Sequence, residues 1–279
     1  MQNELRDWVL AHLELPEEAP SLPYLNRILL AWSQRIPWES ASRIARHLLP
    51  GTPEAYARPP EVFLADTLRL GTGGTCYESN LALRAVLQAL GFEATLAFCD
   101  MRVAIGDPHC ALVVTLDGLR YMADVGYPIP AALLLDEEAP TEVETPVYQY
   151  CARPVAHNRW LVQRRSHRFE QVVFWVKGAP VDEARFMARL VEDHAEEGQF
   201  LSEVIIQKVR QREIWRFSES KGLVRRRWGR EDQILLYNDP DDEAAAILSR
   251  LFRMDRRVIE AALYRRPPDP ALWPDLRTG

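Results

Sequence analysis

The chain has 279 residues, 47% hydrophobic and 27% charged, with 20 Pro, 13 Gly and only 4 Cys, a profile that excludes collagen-like and disordered chains. No apolar run approaches the ~20 residues needed to cross a bilayer, and Glu4, Arg6 and Asp7 interrupt the N-terminal apolar positions, so no membrane partner and a cytoplasmic location are expected. A net charge of −6 argues against nucleic acid as a partner, and four cysteines are too few for a disulfide scaffold, which leaves reactivity or burial as their interest.

Leu5, Trp8, Val9 and Leu13 recur at helical spacing, as do Leu25, Ile28, Leu29 and Trp32, and the second set stops before Pro37. A further helix is expected over 61–70. Gly71-Thr72-Gly73-Gly74-Thr75 then leads into a helix over 76–90 that is expected to bury Leu81, Ala85, Val86, Ala89 and Leu90 and to be closed by Gly91. Strands are predicted over 93–101, 110–116 and 119–125, and the acidic, proline-bearing stretch 136–146 reads as a solvated loop. Strands follow over 159–163 and 171–177, then a helix over 180–196. Four more strands (204–209, 213–217, 223–228, 233–237), a helix over 241–252 and an irregular proline-rich tail complete the chain. The sum is an α+β chain in three parts. Residues 1–91 form a helical bundle, 92–179 an antiparallel sheet or barrel, and 180–279 an interdomain helix with a C-terminal α+β unit.

Cys76 opens the helix that follows Gly73-Gly74-Thr75, where free N–H groups and the helix dipole favour a thiolate. The bland alternative is a small buried cysteine. Asp117-Gly118 between alternating apolar runs is the signature of a two-residue type I′ hairpin. If Leu116 pairs with Leu119, Asp124 faces Ala111 and lies diagonal to His109 on the same face, within reach of an imidazole–carboxylate hydrogen bond. Cys76, His109 and Asp124 thus form a candidate nucleophile, base and orienting acid.

The blocks Ile36-Pro37-Trp38-Glu39-Ser40, Gly73-Gly74-Thr75-Cys76-Tyr77-Glu78-Ser79-Asn80, His109-Cys110-Ala111-Leu112-Val113 and Asp124-Val125-Gly126-Tyr127 resemble arylamine N-acetyltransferases in order and interval. The resemblance runs from about Leu25 to Phe252. It implies a helical bundle, a central antiparallel β-barrel and a C-terminal α+β lid around a cysteine-protease-like Cys-His-Asp core. It also implies a two-step transfer, in which Cys76 takes an acetyl group from acetyl-CoA and passes it to an arylamine, hydrazine or arylhydroxylamine. His109 would take the thiol proton, Asp124 would hold the imidazolium, and the Cys76 N–H, presented by the Gly74-Thr75 turn, would help stabilise the oxyanion. By position Trp38 matches the family's pocket phenylalanine, and Gly126 and Tyr127 match the loop that contacts acceptor and donor.

Three positions depart from the pattern: Thr72 stands for the arginine before Gly-Gly, Ser40 for an asparagine, and Pro128 for a glycine. Loss of the arginine implies either that its partner is also gone or that the loop is rebuilt, and Pro128 stiffens the approach to the cleft. Glu78 and Asn80 match and read as structural. Alternatives that keep the same core are an amide synthase fed by a carrier-protein-bound acyl chain, a silent binding relative, and a thiol hydrolase. A phosphate-binding loop is disfavoured because no Lys-Ser/Thr follows the glycines. Without a C-x-x-C pair, no metal is expected at Cys76, Cys99, His109 and Cys110. The basic run Lys208, Arg210, Arg212, Arg216, Lys221, Arg225, Arg226, Arg227 and Arg230 reads as a solvated sheet face, or as a contact for CoA phosphates or a carrier protein. His12, His47, His157, His167 and His194 belong to no recognisable constellation.

Overall fold

The computed structural model describes residues 2–103, 106–166, 169–228, 230–235 and 242–278. The chain begins with helices α1 (Gln2–Leu13) and α2 (Leu22–Arg35). Ser21 caps α2 by accepting from the Tyr24 N–H, and Leu22-Pro23 supplies a first turn that needs no donor. Leu25, Ile28, Leu29 and Trp32 are buried on the helical face read from their spacing, worth about 2 kcal/mol each. A two-residue strand, β1 (Trp38–Glu39), precedes α3 (Ala41–His47), α4 (Pro53–Tyr56) and α5 (Pro60–Leu70). Gly71, at φ +66°, closes α5. Helix α6 (Cys76–Ala89) ends in paired bonds from Gly91 N–H to Gln88 and from Phe92 N–H to Leu87.

The middle of the chain is an antiparallel sheet of β2 (Glu93–Asp100), β3 (His109–Leu116), β4 (Leu119–Asp124), β5 (Ile129–Leu134), β6 (Thr141–Glu144), β7 (Gln149–Ala156), β8 (Arg159–Ser166) and β9 (Phe169–Lys177), in the order β5-β4-β3-β2-β9-β8-β7-β6. Its edge strands β5 and β6 return to each other's side, so the sheet nearly closes into a barrel. Helix α7 (Glu183–Asp193) follows, and its Phe186 and Leu190 join the core shared by α2, α6 and the first barrel strands. The second sheet orders β1-β10-β11-β12-β13, with β10 (Ile205–Arg210), β11 (Glu213–Ser218), β12 (Gly222–Arg227) and β13 (Arg230–Leu235). Helices α8 (Asp242–Phe252) and α9 (Arg256–Tyr264) complete this unit, and α9 packs against α3 around Trp273.

Several elements differ from the sequence reading. The stretch expected to be a loop over 136–146 contains β6. Strand β5 carries Pro130 and is buried along most of its length between α2 and the barrel, so it lacks the alternation that marks a half-exposed strand. Strand β7 carries Pro154 at a register shift. Helix α3 is short for periodicity to register; the Glu39 carboxylate starts it by accepting from Ser42 N–H (2.8 Å) and Oγ (2.5 Å). The expected strand over 233–237 and helix over 241–252 each extend partly outside the described residues. No helix among the described residues is long and apolar enough to cross a membrane.

Candidate active site

Cys76 is the first residue of α6, and Thr75 before it has extended backbone (φ −84°, ψ −172°). The Thr75 hydroxyl does not cap the helix. It accepts from Arg43 Nη1 at 3.0 Å, and the same guanidinium holds Asp193 at 2.7 Å, tying the turn before Cys76 to the end of α7. The turn is fixed from the other side by β1. Glu39 N–H donates to Gly74 O (3.2 Å), Trp38 bridges Gly74, and a Cβ at Gly73 would stand 1.7 Å from Pro37 O.

The β3–β4 hairpin has the register read from Asp117-Gly118: Leu116 pairs Leu119 and Leu112 pairs Ala123, with Asp117 and Gly118 at φ 51° and 78°. His109 Nε2 lies 2.7 Å from Asp124 Oδ2, and both side chains are buried. Asp124 Oδ1 accepts from Asn80 Nδ2 (3.0 Å), Gly126 N–H (2.8 Å) and Tyr127 N–H (2.9 Å), so the carboxylate is fully engaged. With Nε2 bound to Asp124, Nδ1 is the ring nitrogen left to act on the thiol. Gly126 admits this arrangement: a Cβ there would stand 2.5 Å from Cys76 Cα and Cβ.

The electrostatics suit an ion pair. The Cys110 thiol, hydrogen-bonding to Cys76, and the His109 imidazole together outweigh burial and bring Cys76 down to about 6. Burial pushes His109 down, but Asp124 and Cys76 override it and raise the imidazole to about 10. Between those values thiolate and imidazolium coexist. Burial and the neighbouring thiol push Cys110 up, so it stays a protonated donor.

Cys76 and His109 open onto a cleft of ≈ 340 Å³ whose walls include Trp38, Gly126, Tyr127 and Phe200. Tyr127 meets His109 edge-on at 6.4 Å, and Trp38 meets Phe200 edge-on at 5.1 Å. Among the described residues no cluster of three or more His, Cys, Asp or Glu has metal-holding geometry, and all four cysteines are free.

A family model described as N-acetyltransferase matches residues 21–257. The chain belongs to the arylamine N-acetyltransferase family. Similar solved structures include the arylamine N-acetyltransferase of Mycobacterium marinum (18% identity, 94% of this chain and 99% of that one, TM-score 0.78) and the same enzyme in complex with CoA (19%, 92% and 97%, 0.77). An arylamine N-acetyltransferase of Bacillus cereus with a Cys-His-Glu catalytic triad is also similar (18%, 90% and 99%, TM-score 0.72). No curated protein matches the chain. At these identities the solved structures establish a shared fold.

Thr72, where the family pattern has an arginine, is buried, and the cation beside the glycine turn of this N-acetyltransferase is Arg58. Arg58, from the α4–α5 connection, donates to Glu78 Oε1 and Oε2 (both 2.9 Å) and to Gly73 O (2.8 Å). Arg58 and His194 overcome burial and hold the Glu78 carboxyl well below the usual range, whereas burial raises Glu39. Ser40 replaces the asparagine productively, donating to Glu203 O and accepting from Ile205 N–H where β1 meets β10.

The sequence reading missed other members of the site. Asn80 does more than build α6, since it also accepts from Val125 N–H and so joins helix, hairpin and Asp124. Its position four residues after Cys76, on an otherwise apolar face, was the available signal. His47 and His194 do form a constellation, contrary to expectation. Their rings stack at 5.5 Å, His47 lies on Tyr56 at 4.0 Å, and His194 reaches Glu78 at 3.6 Å. Burial, with His194 and nearby arginines, takes His47 down to about 3. His167 lies outside the described residues. The basic run is not one solvated face: Lys208 is buried and donates to Phe252 O at 2.9 Å, while Arg225 and Arg227 hold Asp232.

Proposed function

We propose that this protein moves an acetyl or related acyl group from acyl-CoA, through a Cys76 thioester, to the amine of a small arylamine or hydrazine. The observation that carries the reading is the Cys76 thiol at a helix start, beside an imidazole held by Asp124, at the wall of an aromatic-lined cleft. The Cys76 thiolate attacks the thioester carbonyl, and the Cys76 N–H, presented by the Gly74-Thr75 turn, receives the developing oxyanion. Collapse expels the CoA thiolate, which takes the proton from His109. In the second half the amine attacks the acyl-cysteine, neutral His109 accepts the amine proton, and Cys76 leaves as the thiolate. Trp38 and Tyr127 supply aromatic surface for the acceptor, and Gly126 the clearance beside Cys76. In this reading residues 1–91 carry the nucleophile, 92–179 carry its base and acid, and 180–279 close the cleft. The test is the intact mass after brief incubation with acetyl-CoA. One acetyl adduct, absent in Cys76→Ala and discharged by an arylamine, is expected; an adduct that persists in Cys76→Ala refutes the nucleophile.

A further inference from the structure

One face of the second sheet forms part of the wall of the cleft onto which Cys76 and His109 open. Trp38, Gln207 and Arg216 are successive cross-strand partners, and Arg226 lies two residues along β12 from Val224, the partner of Arg216, so all four share that face. Arg164, Arg216, Lys221 and Arg226 line the cleft, and among the described residues no acidic side chain lines it, in a chain whose net charge is −6. Along β12 and β13 the arginines are paired: Arg225, Arg227 and Arg230 converge on Asp232, and Arg226 holds Glu231. Arg216, on the neighbouring β11, is placed differently. It gives Nη1 to Gln207 Oε1 (3.1 Å) and leans over Trp38, with its guanidinium carbon 5.9 Å from the ring. No carboxylate among the described residues comes within ion-pair distance of it. Burial, and then Arg226, press its guanidinium below its ordinary value, which is the direction for a cation lacking a counter-ion.

We propose that Arg216 holds a carboxylate carried by the substrate, so that the cleft selects a carboxylate-bearing amine or a carboxylate-bearing acyl group over neutral analogues. This rests on the acyl-transfer reading above. Position limits the anion. From Arg216 the row runs through Gln207 and Trp38 to Gly74, three inter-strand steps of ~4.8 Å each, and Cys76 follows two residues later. An arginine side chain leaning back along that row leaves roughly the span of one substituted benzene ring, or of a short dicarboxylic acyl chain. The phosphates of CoA lie a full pantetheine arm from the thioester. The guanidinium fork matches a carboxylate in two parallel hydrogen bonds.

The experiment compares kcat/KM for 4-aminobenzoate and its ethyl ester with acetyl-CoA as donor, and for succinyl-CoA and butyryl-CoA with the ester as acceptor. A preference for the charged member is expected in one arm, and that arm identifies whether amine or acyl group carries the carboxylate. Arg216→Gln should lower the charged-to-neutral ratio on the order of tenfold or more, and Arg216→Lys, which keeps a cation and guards against misfolding of the first variant, by less. Ratios unchanged in both arms, or a raised KM for acetyl-CoA with both ratios intact, would overturn the proposal, the latter by assigning Arg216 to the donor phosphates. Calorimetric binding of 4-aminobenzoate and of succinate to the resting protein separates the two readings. Binding of either anion weakened by Arg216→Gln, in a protein that acquires no acyl adduct from acetyl-CoA, succinyl-CoA or butyryl-CoA, upholds the anion site and sinks acyl transfer. Turnover of the ester without any charge preference does the reverse.

Discussion

Replacing Asp124 by Asn tests the site at its most constrained point. Oδ1 already accepts from Asn80, Gly126 and Tyr127, so the amide oxygen of the variant is pinned there and its NH2 takes the Oδ2 position, 2.7 Å from His109 Nε2. Nε2 must then accept, the ring proton moves to Nδ1, and the imidazole facing Cys76 can no longer take a proton from the thiol. The wild-type imidazole is raised from 6.5 to about 10, so about 5 kcal/mol is the ceiling on what its partners contribute to keeping it charged. With Cys76 at about 6, about nine-tenths of it is thiolate at pH 7. Returned to an ordinary thiol near ~8.5, only about 3% would be, a drop of about thirtyfold. The Cys110 hydrogen bond survives and retains part of the shift, so iodoacetamide should alkylate Cys76 between about five and thirty times more slowly at pH 7. Acetylation by acetyl-CoA should fall by about 10²–10⁴. An alkylation rate within twofold of wild type, with the acid limb still near pH 6, would refute the claim that Asp124 sustains the ion pair.

Arg58→Met strands the buried Glu78 carboxylate and should cost about 3–5 kcal/mol in urea unfolding, with Arg58→Met/Glu78→Gln recovering at least half; a loss under about 1 kcal/mol would show that Arg58 is not the effective partner. Gly126→Ala puts a Cβ 2.5 Å from Cys76 Cα, so about 1–3 kcal/mol of stability and at least about a hundredfold in acetylation rate should be lost. Unchanged acetylation would mean that the loop and helix start need not approach so closely. Lys208 is buried and lowered from 10.5 to about 7, chiefly by burial and then by nearby arginines. The unfolded chain therefore binds the extra proton between pH 7 and 10.5, and stability rises with pH across that window. Lys208→Met should stabilise most below pH 7, by at most about 5 kcal/mol less about 1 for the lost bond to Phe252 O, and the gain should vanish toward pH 10.5. Equal thermal shifts at pH 6 and pH 10 would contradict this account.

Where the site depends on local geometry, the sequence determined it. The glycine turn and helix start that present Cys76, and the hairpin register that brings Asp124 beside His109, follow from turn chemistry and from the two-residue period of a strand. So did the helices with a clean apolar stripe. Short or doubly buried elements escaped, because α3 offers two turns and β5 hides both faces, which erases the period that sequence reading relies on. The tertiary structure alone decided everything joined across long separations. The meeting of Cys76 with His109, the arginine that reaches Glu78 from position 58, the stacked His47 and His194, and the placing of Arg216 at the cleft beside the paired arginines of β12 and β13 all depend on which surfaces pack together. Burial then changes their chemistry, since the same thiol, imidazole or guanidinium in water would keep its ordinary proton affinity.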